Sequence, residues 1–135
     1  MEVLKVLHID DDPDTRFLLR ELLAEGQSQA EEPVNIQCLE AASLEQAIAQ
    51  HKDADLDIVL LDQRLGKDDG VELLPCIKST WNCPVWILTG LADQRLSDRS
   101  KEKGATGVIS KNELLRDGEH VRLLLLKAAG RLELE

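Results

Sequence analysis

The sequence contains no tyrosine, one phenylalanine and two tryptophans, so aliphatic side chains must build its core. It also lacks any apolar run near 18 residues, which excludes a helix that spans a membrane. The N-terminus has no basic segment followed by an apolar stretch and a small-residue cleavage site, which argues against a secretory signal. Three cysteines form an odd set without metal-site spacing. We therefore expect reduced thiols in a cytoplasmic protein.

Basic residues are also in short supply. The chain has 16 Lys and Arg against 26 Asp and Glu, a formal net charge of −10. Because this charge repels phosphate backbones and anionic lipids, neither nucleic acid nor a membrane is expected as a direct partner. The 135 residues suffice for one domain with a real core. We assign residues 1–130 to that domain and 131–135 to a C-terminal tail, which is a helix end, a linker remnant or a remnant of cloning.

Short apolar segments alternate with longer amphipathic ones along the chain. The pattern predicts five strands, at 3–9, 34–39, 58–61, 85–88 and 107–110. A helix is predicted after each strand, at 13–26, 43–51, 71–78, 93–103 and from about 112 or 119 to 129. This alternation is typical of an α/β fold in which helices cover both faces of a parallel sheet.

Two local sequence features bear on the first and third predicted helices. Phe17, Leu18, Leu22 and Leu23 recur at helical spacing, which predicts the first helix, and Gly26 lies near its predicted end. Pro75 makes the middle of the third helix doubtful, because proline removes a backbone donor inside a helix.

Polar side chains follow four of the five predicted strands. They are Asp10, Asp11 and Asp12 after the first strand, Asp62 after the third, Thr89 after the fourth and Lys111 after the fifth. In open parallel sheets, ligands bind beyond the carboxyl ends of the strands. If these strands are neighbours, acids, a hydroxyl and an ammonium group therefore meet at one edge.

This set of side chains indicates a particular chemistry. Clustered carboxylates repel one another unless a cation compensates them, and Mg²⁺ suits a few carboxylates together with water and phosphate oxygens. The oxygens of a phosphoryl group need cationic and hydroxyl donors, which Lys111 and Thr89 supply. A carboxylate beside the metal can act as a nucleophile and form an aspartyl phosphate. Asp62 is the most isolated candidate, so the residues predict phosphoryl transfer to Asp62.

In this order and spacing, the chain resembles the receiver domain of bacterial two-component response regulators. The resemblance extends from residue 6 to 129 and rests on the segments 9–13, 60–62 with Gly70 eight residues on, 89–90 and 109–111. It implies a flavodoxin-like (βα)5 fold, a three-layer sandwich around a parallel five-stranded sheet of order 2-1-3-4-5.

The resemblance also implies a function in a two-component or phosphorelay system. Asp62 would accept a phosphoryl group from a histidine kinase or a histidine phosphotransfer protein. The domain would thus catalyse its own phosphorylation and dephosphorylation without being a conventional enzyme. The family switches an output domain or a partner protein, for which the face of the fourth helix, fifth strand and fifth helix is expected. The apolar run 123–126 leaves a homodimer open.

Residue roles follow from the same resemblance. Asp11 matches the direct Mg²⁺ ligand, Asp10 its partner acid that acts through water, and Arg64 the backbone carbonyl that completes the metal site with Asp62. Thr89 and Lys111 match the residues that bind the phosphoryl oxygens. Asp12 matches a position that is often acidic, and we expect it to cap the first helix.

The chain departs from the family pattern at two informative positions. Gly66 stands where the family often has proline, which leaves the shape of this loop open. Val108 stands where an aromatic residue usually moves together with the threonine. These departures keep open an alternative function, that of a receiver-like docking module that works without phosphorylation.

Two unrelated site types share part of the acidic motif. Asp10, Asp12 and Asp14 with Glu21 have EF-hand spacing, but Thr15 occupies the position that needs glycine. A haloacid-dehalogenase-like phosphatase would use Asp10 and Asp12, but residue 14 is Asp rather than Thr or Val, and the chain is short for that fold with a cap. Both types fit the sequence less well than a receiver domain does.

Overall fold

The computed structural model describes residues 3–31 and 34–131. Its strands are β1 (Val3–Ile9), β2 (Asn35–Ala41), β3 (Ile58–Asp62), β4 (Arg64–Leu65), β5 (Asp68–Asp69), β6 (Val85–Thr89) and β7 (Gly107–Ser110). Its helices are α1 (Pro13–Gln29), α2 (Leu44–His51), α3 (Gly70–Thr80), α4 (Gln94–Glu102), α5 (Lys111–Leu114) and α6 (Gly118–Ala128). None of the helices in these two ranges combines the length and apolarity needed to cross a membrane.

Five strands form one parallel sheet of order β2-β1-β3-β6-β7. With the short β4–β5 hairpin set aside, this is the predicted order 2-1-3-4-5, so the flavodoxin-like fold is confirmed. Asp62 pairs with Leu88, and Thr89 pairs with Ser110. The register therefore brings the carboxyl ends of the central strands level at one edge.

The core lies on both faces of the sheet, as alternation along the central strand shows. All five residues of β3 are buried. Ile58 and Leu60 pack on the side covered by α1 and α6, whereas Val59 and Leu61 pack on the side covered by α2, α3 and α4. This is the period of two expected for a strand covered on both faces.

The helices differ from the sequence prediction in two places. The first helix runs to Gln29, beyond its predicted end near Gly26. It buries Leu19, Leu23 and Gly26, whereas Phe17 and Leu18 are 44% and 45% exposed. A helix presents one stripe to the core, so neighbouring apolar residues cannot all face it. The third helix runs unbroken through Pro75, which lies on its exposed face.

Further comparisons concern the last predicted helix, the C-terminal tail and the EF-hand alternative. The last helix is divided, because α5 begins at Lys111 and α6 at Gly118, near both predicted starts. Of the tail 131–135, residues 132–135 lie outside the described residues. An EF-hand would need a helix before the acids, and the structure has the strand β1 there.

Candidate functional site

The predicted site residues meet at the carboxyl edge of the sheet. Asp10 directly follows β1, and Asp62 is the last residue of β3. Thr89 is the last residue of β6, and Lys111 directly follows β7. A cleft of about 500 Å³ is lined by Asp62, Thr89 and Lys111, together with parts of the loops that follow β3 and β6.

The acids form a compact group with oxygens suited to a divalent cation. Carboxylate oxygens of Asp10, Asp11 and Asp62 lie within 4.8 Å of one another, and it is the one such group of His, Cys, Asp or Glu side chains among the described residues. Asp10 and Asp62 are buried, whereas Asp11 is exposed. Hard oxygen donors next to solvent fit Mg²⁺, which keeps several water ligands.

Lys111 supplies the positive charge that the structure itself offers to these acids. Its Nζ lies 3.1 Å from Asp62 Oδ1 and 3.4 Å from Asp10 Oδ2. Burial alone would lower the pKa of Lys111, but the charges of Asp10 and Asp62 outweigh it and raise that pKa above its ordinary value. Lys111 is therefore held as an ammonium group between the two carboxylates.

The pKa values of the two buried acids are shifted in opposite directions. Burial and the charge of Asp10 raise the pKa of Asp62, against the opposing effects of Lys111 and the Arg64 amide. Burial also works to raise the pKa of Asp10, but His8, the Asp12 amide and Lys111 lower it to about 2. Asp10 thus stays ionised, and its charge makes Asp62 the more basic carboxylate.

Asp11 is held by the β4–β5 hairpin, which the sequence did not predict. The turn of the hairpin is Gly66-Lys67, with φ +60° at Gly66 and no positive φ at any non-glycine residue described. This is the II′ pattern of a two-residue hairpin, and the Gly-X signal was present in the sequence. The Gly66 amide donates a hydrogen bond of 2.9 Å to Asp11 Oδ2, so the loop is tied to the acid cluster.

Residues 6–119 match the family described as the response regulator receiver domain. The chain belongs to this family. The transcriptional regulatory protein ComA of Bacillus subtilis (strain 168) is 29% identical over 111 residues, which cover 81% of this chain and 50% of ComA. The chain therefore spans about half the length of this curated relative.

Solved structures show the same fold. A response regulator from Thermotoga maritima superposes with a TM-score of 0.75 at 18% identity, over 95% of this chain and 98% of that one. Chemotaxis protein CheY4 of Vibrio cholerae superposes with a TM-score of 0.74 at 22% identity, over 93% of this chain and 98% of that one.

Asp12 and Asp10 make different contacts in the loop that follows β1 of the receiver domain. Asp12 accepts a hydrogen bond of 2.9 Å from the Asp14 amide and is the N-cap of α1, as predicted. Asp10 is aligned from its own loop, because its Oδ1 accepts a hydrogen bond of 2.9 Å from the Asp12 amide. The Arg64 amide lies 3.4 Å from Asp62 Oδ1, and the metal role of the Arg64 carbonyl stays a prediction.

Two further side chains enter the site of this receiver domain. His8 is fully buried, and its Nε2 lies 3.5 Å from Asp10 Oδ2. Gln63, next to Asp62, accepts a hydrogen bond of 2.6 Å from the Thr89 hydroxyl through its Oε1. No sequence signal marks Gln63 beyond its place after the acid, because its contact depends on the geometry of the loop.

Proposed function

We propose that this receiver domain is a phosphoacceptor in a two-component or phosphorelay system. Asp62 accepts a phosphoryl group from a phosphohistidine of a histidine kinase or a phosphotransfer protein, with Mg²⁺ as cofactor. One observation carries the proposal: the carboxylates of Asp10, Asp11 and Asp62 converge beside the Lys111 ammonium, and Asp62 and Lys111 line one cleft. Such a set neutralises and positions a transferred phosphoryl group.

The transfer itself is a displacement at phosphorus. An Asp62 carboxylate oxygen attacks, the new O–P bond forms, and the N–P bond of the phosphohistidine breaks with its electron pair kept by the imidazole. Lys111 favours the ionised, attacking form of Asp62 and afterwards pairs with a phosphoryl oxygen. Hydrolysis reverses the change when water attacks phosphorus, so that Asp62 returns as a carboxylate and inorganic phosphate leaves.

Asp10, Asp11, Asp62 and the Arg64 carbonyl would hold Mg²⁺ in this account. When bound, the ion supplies positive charge to the carboxylates and to the phosphoryl oxygens. The chain supplies the rest. Asp10 stays ionised because its pKa is about 2. Asp11 is fixed by the Gly66 amide. Thr89 offers its hydroxyl at the wall of the cleft.

The consequence proposed for phosphorylation is a population shift of the loops after β3 and β6 and of the surface formed by α4, β7 and α6. An output domain or a partner protein would read that surface, and a homodimer through it stays open. We place the domain at residues 1–130, a tail at 131–135, and the protein in the cytoplasm. Its net charge of −10 favours a protein partner over nucleic acid or a membrane.

Intact-mass spectrometry tests the proposal. The wild-type protein is incubated with acetyl phosphate and, separately, with a histidine-phosphorylated phosphotransfer protein, with Mg²⁺ or with EDTA. We expect a gain of one phosphoryl group that requires Mg²⁺ and is absent in Asp62→Asn. Asp68→Asn is the matched control, because Asp68 is an exposed acid of the neighbouring hairpin. No gain from either donor would support the phosphorylation-independent docking module instead.

A further inference from the structure

The Thr89 hydroxyl has one proton, and the structure shows where it goes. Oγ1 lies 2.6 Å from Gln63 Oε1 and 3.2 Å from the Leu91 carbonyl, and it accepts a hydrogen bond of 3.2 Å from the Leu91 amide. The shortest contact is the one to Gln63. Thr89 is only 3% exposed, so water has little access to replace this partner. The Thr89 hydroxyl therefore donates its hydrogen bond to Gln63 Oε1.

Gln63 is well placed to hold this contact because its backbone is fixed on both sides. Its amide donates a hydrogen bond of 2.8 Å to the Leu88 carbonyl, and its own carbonyl accepts one of 2.6 Å from the Gly70 amide. The side chain lines the same cleft as Asp62 and Lys111. Loss of Gln63 Oε1 would thus change the hydrogen bonding of the Thr89 hydroxyl without moving the main chain.

We propose that Gln63 is a positioning residue that holds the Thr89 hydroxyl in its resting orientation until a phosphoryl group arrives. This inference rests on the proposed function of Asp62. A phosphoryl oxygen on Asp62 must replace Gln63 Oε1 as the acceptor of the Thr89 proton. An anionic oxygen is the stronger acceptor, so the exchange is favourable once the phosphoryl group is present. Gln63 is half-buried, so its released oxygen can return to water.

The exchange sets a threshold for activation. Before phosphorylation, Thr89 is in the competent orientation only for the fraction of time in which the Gln63 contact is broken. The apparent affinity for a phosphoryl group falls by that fraction. Val108 provides no aromatic ring next to this threonine, so its hydroxyl is restrained by polar contacts, of which the one to Gln63 is shorter than those to the Leu91 backbone.

Three variants of Gln63 and one control variant separate this role from a general effect on the loop. Gln63→Leu, with Gln63→Met as a second apolar replacement, removes the carbonyl acceptor. Gln63→Glu keeps an oxygen acceptor at the same reach. Lys67→Leu is the matched control, since it places an apolar side chain at an exposed position of the same hairpin.

The first readout uses the free protein, with neither Mg²⁺ nor a phosphoryl donor. The ¹³C chemical shift of the Thr89 methyl group reports the side-chain orientation. We expect it to move in Gln63→Leu and Gln63→Met and to keep its wild-type value in Gln63→Glu and Lys67→Leu. An unchanged shift in both apolar variants, or an equal change in Gln63→Glu, overturns the proposal.

The second readout is the affinity for beryllofluoride with Mg²⁺, a stable mimic of the phosphoryl group. We expect Gln63→Leu to bind it roughly two- to tenfold more tightly than wild type, the gain expected from releasing one neutral hydrogen bond. Unchanged or weaker binding in this variant overturns the proposal. If wild type binds no beryllofluoride while the methyl shift still responds to Gln63→Leu, the proposed function fails and the restraint on Thr89 stands.

Discussion

At the scale of single residues, the site is a balance between three carboxylates and one ammonium group. Asp10, Asp11 and Asp62 bring their oxygens within 4.8 Å of one another, and Lys111 contacts both buried acids. Carboxylates this close repel one another and destabilise the folded state unless positive charge compensates them. Lys111 and the proposed divalent cation would therefore compensate the charge of the same carboxylate oxygens.

Replacing Lys111 by methionine should reveal this overlap. We expect Lys111→Met, without divalent ions, to lower the free energy of unfolding by about 1–3 kcal/mol, because two buried acids lose their partner. Mg²⁺ should then raise the melting temperature of the variant by more than that of wild type, because a ligand stabilises the state that binds it. Thermal unfolding with Mg²⁺ or with EDTA measures both effects.

The exposed Lys67 provides the control for this experiment, since Lys67→Met removes the same charge outside the acid cluster. Its response to Mg²⁺ should match that of wild type. If Mg²⁺ raised the melting temperature of Lys111→Met by no more than that of Lys67→Met, Lys111 and the cation would not share the same carboxylates.

The residues of the candidate site were largely predictable from the sequence, and their fine contacts were not. Asp10, Asp62, Thr89 and Lys111 each lie at the carboxyl end of a strand, and parallel strands bring these ends to one edge. The contact of Gln63 with Thr89 could not be predicted in this way, because it depends on a side-chain rotamer and on a loop with no periodic pattern.

At the scale of elements, the β4–β5 hairpin and the start of α3 hold the loop that follows Asp62. A Cβ atom built on Gly70 would lie 2.2 Å from the Asp62 carbonyl oxygen, so the helix begins directly against the backbone of Asp62. The Gly70 amide also donates a hydrogen bond of 2.6 Å to the Gln63 carbonyl. Glycine is required here by close approach.

Gly70→Ala should therefore disturb both stability and the site. We expect a loss of about 1–3 kcal/mol in the free energy of unfolding, because the added methyl meets backbone that must shift. Phosphoryl gain by Asp62 should slow as the loop moves. Urea denaturation and intact-mass kinetics measure the two effects.

Gly90→Ala is the stability control, because a Cβ atom there meets nothing within 4 Å. Its unfolding free energy should stay within about 0.5 kcal/mol of wild type. Equal stabilities of the Gly70→Ala and Gly90→Ala variants would contradict the close packing of α3 on Asp62.

The strands and helices differ in how well the sequence pattern predicted them. Strands were predicted well, because β3 and β6 are continuous apolar runs that need cover on both faces. The spacing of apolar residues predicted the helix α1 but not its buried stripe, because several apolar residues compete for that stripe and Leu19 and Leu23 occupy it. The doubt about α3 was unnecessary, because Leu74 and Ile77 bury its inner face while Pro75 faces outward.

At the scale of the whole molecule, an aliphatic core on two faces of the sheet determines which side chains solvent can reach. The three cysteines differ in their exposure to solvent: Cys76 is exposed, Cys38 is partly buried and Cys83 is buried. Burial raises the pKa of Cys38 to about 12 and that of Cys83 to about 11. Both thiols therefore stay protonated in the folded protein at pH 8, where thiolates are the reactive form.

We expect a disulfide reagent at pH 8 to modify one thiol per native chain rapidly and all three after unfolding. Cys76→Ser should abolish the rapid phase. Because the unfolded state loses its thiol protons above about pH 8.5 and the folded state keeps them, stability should fall as pH rises from there toward 11. Rapid modification of Cys83 in the native protein would contradict this packing of the core.

The central claim, that Asp62 is the residue that carries the phosphoryl group, has a direct chemical test. Borohydride reduces an aspartyl phosphate to homoserine, so the protein is phosphorylated with Mg²⁺, reduced, digested and sequenced by mass spectrometry. The account predicts homoserine at position 62 alone, and none when EDTA replaces Mg²⁺. Homoserine at position 10 or 11, or labelling that does not depend on Mg²⁺, would contradict it.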